Sequence, residues 1–161
     1  MPSLTEQLRK VDTLLPGTLR AVSRLRLLIE HRPLPDNALR ILLVEDDAVI
    51  GLSLQMLLEA NGYIVTGPIG NGIEALEIAD RSSIDIALLD LKLSGSVNGL
   101  TVGRALRERS IPIVFLTGHV SAFVSEALGL TRHIIRKPYA DADLLAALRE
   151  AVLAKSVNPA R

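Results

Sequence analysis

Short runs of purely apolar residues recur along the chain, and they constrain its fold more than any other feature. The runs at 41–44, 86–89 and 113–116 read ILLV, IALL and IVFL. Such runs, rich in leucine and β-branched residues, are typical of strands buried on both faces of a parallel sheet. Strands are predicted at 40–45, 63–67, 85–90, 112–116 and 133–136. Helices are predicted after them at 48–60, 71–81, 98–109, 120–129 and 141–155. This alternation predicts an α/β fold with a doubly wound, five-stranded parallel sheet.

Residues with strong turn and capping preferences mark several boundaries. Asn61-Gly62 is expected to end the first helix, and Asp141 is expected to be the N-cap of the last one. The glycine-rich segment 67–72 follows a strand, but it lacks the lysine and the spacing of a phosphate-binding loop. A tight turn is therefore predicted at 67–72.

The first 35 residues follow a different pattern. Apolar residues within 4–31 are spaced by alternating steps of four and three, which gives a heptad-like stripe. Pro16-Gly17 interrupts the stripe, so two helices or one kinked helix are expected. We divide the chain into a helical extension at 1–35 and a second domain at 36–161. The stripe is expected either to pack on its own domain or, through residues 4–31, to form a homodimer or a docking surface for a partner.

The composition excludes several classes of function. The chain has no cysteine, which rules out a disulfide, a thiol nucleophile and a thiolate metal site. Its 18 basic and 18 acidic residues cancel, which gives no reason to expect nucleic acid binding. No apolar run approaches membrane-spanning length, and charged residues interrupt the N-terminus where a signal peptide would be apolar. A cytoplasmic protein that binds neither nucleic acid nor membrane is expected.

Polar residues follow the predicted strands at the points where the strands end. Glu45 and Asp46 follow the first strand, Asp90 closes the third, Thr117 follows the fourth and Lys137 follows the fifth. The carboxyl ends of parallel strands meet at one edge of a sheet, where ligands bind. Clustered acids, a hydroxyl and a lysine at this edge indicate a site for Mg²⁺ and a phosphoryl group.

At these positions the chain resembles the receiver domain of two-component response regulators, over about residues 40–155. Four motifs at the strand ends carry the resemblance: Leu43-Val44-Glu45-Asp46-Asp47, Leu88-Leu89-Asp90-Leu91, Phe115-Leu116-Thr117-Gly118 and Arg136-Lys137-Pro138-Tyr139. The resemblance implies a flavodoxin-like sheet with strand order 2-1-3-4-5. It also implies that Asp90 accepts a phosphoryl group from a sensor histidine kinase or a histidine phosphotransfer protein.

The resemblance further implies a role for each polar residue of the site. The expected protein ligands of Mg²⁺ are Asp46, Asp90, the backbone carbonyl of Lys92 and, through water, Glu45. Lys137 is expected to pair with phosphoryl oxygens, and Thr117 is expected to donate its hydroxyl to another. Asp47 is expected to lie in the N-cap region of the first helix and not to bind the ion.

The chain departs from the family pattern at three places. A loop at 93–99 replaces the usual Pro-Gly after the phosphorylated aspartate and is one residue longer. Ile134 lies where most receivers have an aromatic residue that couples to the threonine. The segment 115–119 resembles the Phe-Ala-Thr-Gly-aromatic loop of a receiver subgroup that also lacks this aromatic, with His119 in place of the ring. Lys92 and His119 are expected either to steer the attacking water, and so to set the phosphoryl lifetime, or to face solvent.

These features predict a single-domain response regulator that is not an enzyme. It is expected to signal to an unknown downstream protein through protein contacts, or to act as a phosphate sink or shuttle. One alternative is a receiver-like adaptor that is never phosphorylated. A second is a phosphatase with an aspartyl nucleophile, which is disfavoured because Lys92 lies where such hydrolases need a second aspartate. The arginines at 104, 107 and 109 are expected to solvate an exposed helix face.

Overall fold

The computed structural model describes residues 38–118 and 122–157. Within Asn37–Arg161, the described residues form one compact unit. The described strands are β1 (Arg40–Val44), β2 (Ile64–Ile69), β3 (Ile86–Asp90), β4 (Ile113–Thr117) and β5 (Ile134–Arg136). The described helices are α1 (Ala48–Ala60), α2 (Gly72–Arg81), α3 (Gly99–Glu108), α4 (Ala122–Leu128) and α5 (Asp141–Val157). The predicted extension at 1–35, the predicted homodimer surface at 4–31 and His119 lie outside the described residues.

The five strands form one parallel sheet in the order β2-β1-β3-β4-β5, as predicted. The three inner strands are the ones with the most apolar runs, and every residue of β3 and β4 is buried. Because parallel strands need crossover connections, helices cover both faces of the sheet. The carboxyl ends of all five strands therefore lie at one edge.

The core lies in two layers, one on each face of the sheet. Alternate residues along each strand point to opposite layers. In β1, Leu42 and Val44 pack with apolar side chains of α2, α3 and α4. Ile41 and Leu43 pack with those of α1 and α5. Each fully buried aliphatic side chain stabilises the fold by about 1.5–3 kcal/mol. Both layers therefore stabilise the sheet that carries the polar residues at its carboxyl edge.

The second strand extends further than predicted, and the tight turn predicted at 67–72 is wrong for its first three residues. Thr66 pairs with Leu42, but Ile69 pairs with Val44, so β2 carries one extra residue in a bulge. Gly67 has φ of +126°, and a Cβ there would collide with the carbonyl oxygen of Leu43. Only glycine fits this position.

Most predicted helix ends are confirmed. The side chain of Asp47 accepts hydrogen bonds from the N–H groups of Val49 and Ile50, so Asp47 is the N-cap of α1. Asn61 is the C-cap of α1, and Gly62 follows with φ of +85°. Asp141 is the first residue of α5 and not the N-cap that was predicted. It lies instead in the first turn, where the helix dipole favours an acidic side chain.

The arginines at 104, 107 and 109, in α3 and at its C-cap, are exposed as predicted, and they also contact neighbouring elements. Arg104 pairs with Glu126 of α4, and Arg109 lies 2.5 Å from Asp80 of α2. Arg107 donates to the backbone carbonyls of Gly129 and Leu130, which follow α4. These contacts tie α3 to both of its neighbours. In the part of the chain that the structure describes, no helix is long and apolar enough to cross a membrane.

Candidate functional site

Three carboxylates meet at the carboxyl edge of the sheet, where neighbouring strands β1 and β3 end. Glu45 and Asp90 are 3% and 7% exposed, whereas Asp46 is exposed. Each offers an oxygen that lies within 4.8 Å of an oxygen of the other two. The backbone N–H of Glu45 donates to the carbonyl of Ile69 at 3.0 Å, so the end of β2 fixes the residue that leaves β1. The three acids predicted at the strand ends therefore lie close together.

Lys137 bridges the two buried acids from β5's carboxyl end. Its Nζ lies 2.7 Å from Glu45 Oε2 and 2.5 Å from Asp90 Oδ2. The Lys137 side chain is 20% exposed. Lys137 thus pairs with two of the three carboxylates and leaves Asp46 without an ion pair to this lysine.

Burial and charge shift two pKa values in this cluster. Burial raises the pKa of Glu45 above its ordinary 4.5, and the charge of Asp90 adds to that effect. The hydrogen bond from Lys137 opposes both causes without cancelling them. For Lys137, burial favours the neutral amine, but hydrogen bonds to Asp90 and Glu45 outweigh burial and raise its pKa above 10.5. The lysine is therefore charged at neutral pH.

Thr117 and Lys137 are held beside each other by backbone pairing. Thr117 is the last residue of β4 and is 7% exposed. Its carbonyl accepts a hydrogen bond from the N–H of Lys137 at 2.7 Å. The hydroxyl-bearing residue and the lysine therefore line the same cleft as the three acids.

The loop between β3 and α3 contacts two of the carboxylates. The N–H of Lys92 donates to Asp90 Oδ1 at 2.9 Å. Ser94 donates to Asp46 Oδ2 from its N–H at 3.0 Å and from its hydroxyl at 2.5 Å. Sequence reasoning marked this loop as unusual in length but missed Ser94. The one available signal was a hydroxyl in the segment that departs from the family pattern.

The proposed tuning positions separate in space. Lys92 is exposed and lines the cleft. Ile134 lies in β5 opposite Phe115 and packs against the core, and it is not among the cleft-lining residues. Their tuning roles remain predictions.

The donor set suits a hard divalent cation. Carboxylate oxygens are the ligands that Mg²⁺ prefers, and the ion usually keeps several waters, which an open cleft with one exposed acid can accommodate. The nearby lysine and threonine suit the oxygens of a phosphoryl group. The arrangement can therefore hold an anion next to a buried carboxylate, which is the requirement for phosphoryl transfer to that carboxylate.

Comparisons with known proteins agree with this geometry. A family model described as a response regulator receiver domain matches residues 41–149. The DNA-binding response regulator MtrA of Mycobacterium tuberculosis is 38% identical over 125 residues, which cover 75% of this chain and 54% of that protein. The chain thus spans about half the length of the curated relatives it matches.

Solved receiver domains have the same fold. The receiver domain of a modulated diguanylate cyclase from Desulfovibrio desulfuricans aligns with a TM-score of 0.71 at 29% identity, covering 76% of this chain and 99% of that one. The receiver domain of sensor histidine kinase PA1611 from Pseudomonas aeruginosa aligns with a TM-score of 0.64 at 29% identity, covering 71% and 98%. That structure contains a magnesium ion coordinated in its active site cleft.

Proposed function

Since this chain belongs to the response regulator receiver domain family, we propose that it works in two-component signalling by carrying a phosphoryl group on Asp90. Receiver domains are generally signalling proteins and not classical enzymes. The observation that carries the proposal is the setting of the Asp90 carboxylate. It is buried at the base of an open cleft, with Lys137 on one oxygen and the N–H of Lys92 on the other.

The phosphoryl donor would be a phosphohistidine of a sensor histidine kinase or of a histidine phosphotransfer protein. A carboxylate oxygen of Asp90 attacks the phosphorus, and an acyl phosphate forms as the P–N bond breaks. The leaving imidazole nitrogen keeps the electron pair of that bond and takes up a proton. Lys137 shifts its contact from Asp90 to the phosphoryl oxygens, and Thr117 donates its hydroxyl to another of them.

The acidic cluster would hold Mg²⁺, since receiver domains typically bind this ion at an acidic pocket. Its protein ligands would be Asp46, Asp90, the backbone carbonyl of Lys92 and, through water, Glu45. When bound, the ion supplies positive charge that offsets the repulsion between the carboxylates and the incoming phosphoryl group.

The donor is proposed to dock on α1, beside the cleft. Val49, Leu52 and Met56 are 75%, 55% and 71% exposed, and their spacing of three and four puts them on one helix face. Ile50 lines both the acidic cleft and a smaller groove that extends to Tyr139. An apolar face next to a phosphoacceptor suits a protein donor, because a small phosphodonor needs no such surface. Downstream signalling through protein contacts remains part of the proposal, with the partner open.

A receiver-like adaptor that is never phosphorylated is the second candidate. Ile134, which packs in the core where most receivers have a switch aromatic, is the observation that favours it. A phosphatase with an aspartyl nucleophile has less support. Such hydrolases need a second aspartate two residues after the nucleophile, and Lys92 lies at that position.

Intact-mass spectrometry after incubation with phosphoramidate separates these candidates. Wild type is expected to gain one phosphoryl group only with Mg²⁺ present, and Asp90→Asn none. Asp47→Asn is the matched control: it changes an acid of the same cleft, keeps a good N-cap residue, and should still form the adduct. An adduct on Asp90→Asn, or none on wild type under any condition, would refute Asp90 as phosphoacceptor and favour the adaptor.

A second comparison tests the docking face. Leu52→Glu is expected to slow transfer from a phosphorylated histidine phosphotransfer protein at least tenfold while leaving phosphoramidate labelling unchanged. Leu153→Glu, at a 64% exposed residue of α5, is the matched control and should affect neither reaction. Equal transfer rates for both variants would argue against docking on α1.

A further inference from the structure

Ser94 reaches across the cleft to an acid that is 48 residues away in the sequence. Its N–H and hydroxyl both donate to Oδ2 of Asp46, at 3.0 and 2.5 Å. We propose that Ser94 is a positioning residue that holds the Asp46 carboxylate ready to bind Mg²⁺. The inference rests on the proposed metal-dependent phosphorylation of Asp90, and it assigns a role to a residue that replaces part of the family's usual loop.

Asp46 needs such support more than its two neighbours do. Glu45 and Asp90 are buried, and Lys137 fixes an oxygen of each. Asp46 is exposed, so its side chain would otherwise sample several rotamers, and binding a cation would cost the entropy of choosing one. Because the hydrogen bonds from Ser94 already hold one rotamer, that entropy is lost on folding and not on binding of the ion.

The two hydrogen bonds also give the two oxygens of Asp46 different roles, because both donors contact Oδ2. A carboxylate oxygen has two lone pairs, so two donors satisfy Oδ2. Oδ1 is then the oxygen available for a cation. Metal-binding carboxylates are commonly hydrogen-bonded in this way by residues that do not touch the metal.

The loop backbone explains why Ser94 is in place. The N–H of Lys92 is fixed on Asp90 Oδ1 at the start of the loop. Gly95 has φ of +100°, which turns the chain immediately after Ser94. Asn98 ends the loop as the N-cap of α3, where its side chain accepts from the N–H of Thr101. Ser94 is exposed, but fixed loop residues on both sides of it determine its position.

Isothermal titration calorimetry of the full chain with MgCl₂ tests the inference directly, without a phosphoryl donor. Ser94→Ala is expected to weaken Mg²⁺ affinity about tenfold, the lower limit for the loss of such a supporting contact. Ser94→Thr keeps a hydroxyl and should bind within about twofold of wild type. Ser96→Ala, a serine-to-alanine change in the same loop, is the matched control and should leave the affinity unchanged. Circular dichroism at the titration temperature verifies that each variant is folded.

The outcomes separate failure of the positioning role of Ser94 from failure of the proposed function. Unchanged or tighter Mg²⁺ binding by Ser94→Ala would overturn the positioning role, since Ser94 would then be neutral or a competitor of the ion. An equal loss in Ser96→Ala would also overturn it, because the effect would belong to the loop and not to the hydroxyl. Wild type that binds Mg²⁺ and labels on Asp90 while Ser94→Ala binds equally well would sink this inference alone. Wild type that binds no Mg²⁺ would refute the proposed function together with it.

Discussion

Replacing Lys137 by methionine is the sharpest test of how the charges of the cleft are balanced. The amine lies 2.5–2.7 Å from Asp90 and Glu45, whose side chains are 10% and 1% exposed. Removing one partner of a buried ion pair typically costs about 3–5 kcal/mol, because the remaining charge stays desolvated without a counterion. The Lys137 side chain is itself 20% exposed, so water relieves part of this cost. We therefore expect a loss near the lower limit, about 3 kcal/mol.

Urea unfolding followed by circular dichroism in EDTA measures this loss. With a slope of about 1.5 kcal/mol per molar, the midpoint of Lys137→Met is expected about 2 M below that of wild type. Adding Mg²⁺ should raise the midpoint of the variant more than that of wild type, because the ion replaces the missing positive charge. Mg²⁺ at 100 times its Kd for the variant stabilises the folded variant by about 2.7 kcal/mol. That amount is most of the stability that the variant loses relative to wild type in EDTA.

Lys92→Met is the matched control, since Lys92 is an exposed lysine of the same cleft. Its unfolding free energy should stay within about 0.5 kcal/mol of wild type. The reasoning is refuted if Lys137→Met unfolds at the wild-type midpoint in EDTA. It is equally refuted if Mg²⁺ raises the midpoints of Lys137→Met and wild type by the same amount.

Three further predictions concern the scaffold. Gly103→Ala is expected to lower the free energy of unfolding by about 1–3 kcal/mol, because the added Cβ would lie 2.5 Å from Cζ of Phe115; the urea midpoint measures this. Asp47→Ala is expected to cost about 1 kcal/mol through loss of the α1 N-cap, which a thermal melt detects. The hydrogen bond from Arg40 lowers the pKa of Asp85 below its ordinary 3.8. The contribution of this ion pair to the free energy of unfolding is therefore complete above pH 3.8 and is lost as the pH falls through the pKa of Asp85 in the folded state. The urea midpoints of wild type and Asp85→Asn should therefore converge in strong acid.

Each of these has a control and an opposing outcome. Gly70→Ala adds a Cβ in open space and should leave the midpoint unchanged; an equal effect of both glycine substitutions would reject the clash. Asp47→Asn should retain most of the stability that Asp47→Ala loses, and a similar loss in both would reject capping as the cause. A difference between wild type and Asp85→Asn that persists unchanged into strong acid would reject the role assigned to the ion pair.

The sequence predicted most of the fold because its inner strands carry a simple signal. The runs in β1, β3 and β4 are apolar throughout, as burial on both faces requires. The end of β2 was missed because Gly67-Pro68 is a turn signal by itself. β2 continues through these residues because Ile69 pairs with Val44 of β1, a long-range contact that the local sequence does not show.

The same limit applies to the site. Glu45, Asp90 and Lys137 were predictable because parallel topology alone brings strand ends together. Ser94 was not predictable, because its contact with Asp46 depends on the path of a loop turned by a glycine with positive φ. The local sequence pattern indicates which residues lie at the ends of strands. A hydrogen bond across a cleft depends in addition on the conformations of two loops, which the pattern does not show.

The division of the core into two layers has a consequence for how this domain can diverge. The apolar contacts of α1 and α5 belong to one layer and those of α2, α3 and α4 to the other, and they share only the backbone of the sheet between them. A change of side-chain volume in one layer should therefore be accommodated mainly by neighbours in that layer. If the phosphoryl donor docks on α1, as proposed, substitutions that repack the layer of α2, α3 and α4 should leave that docking face unchanged. Asp90 ends the central strand of the sheet, against which both layers pack. Substitutions in either layer must therefore keep the backbone of that strand in place.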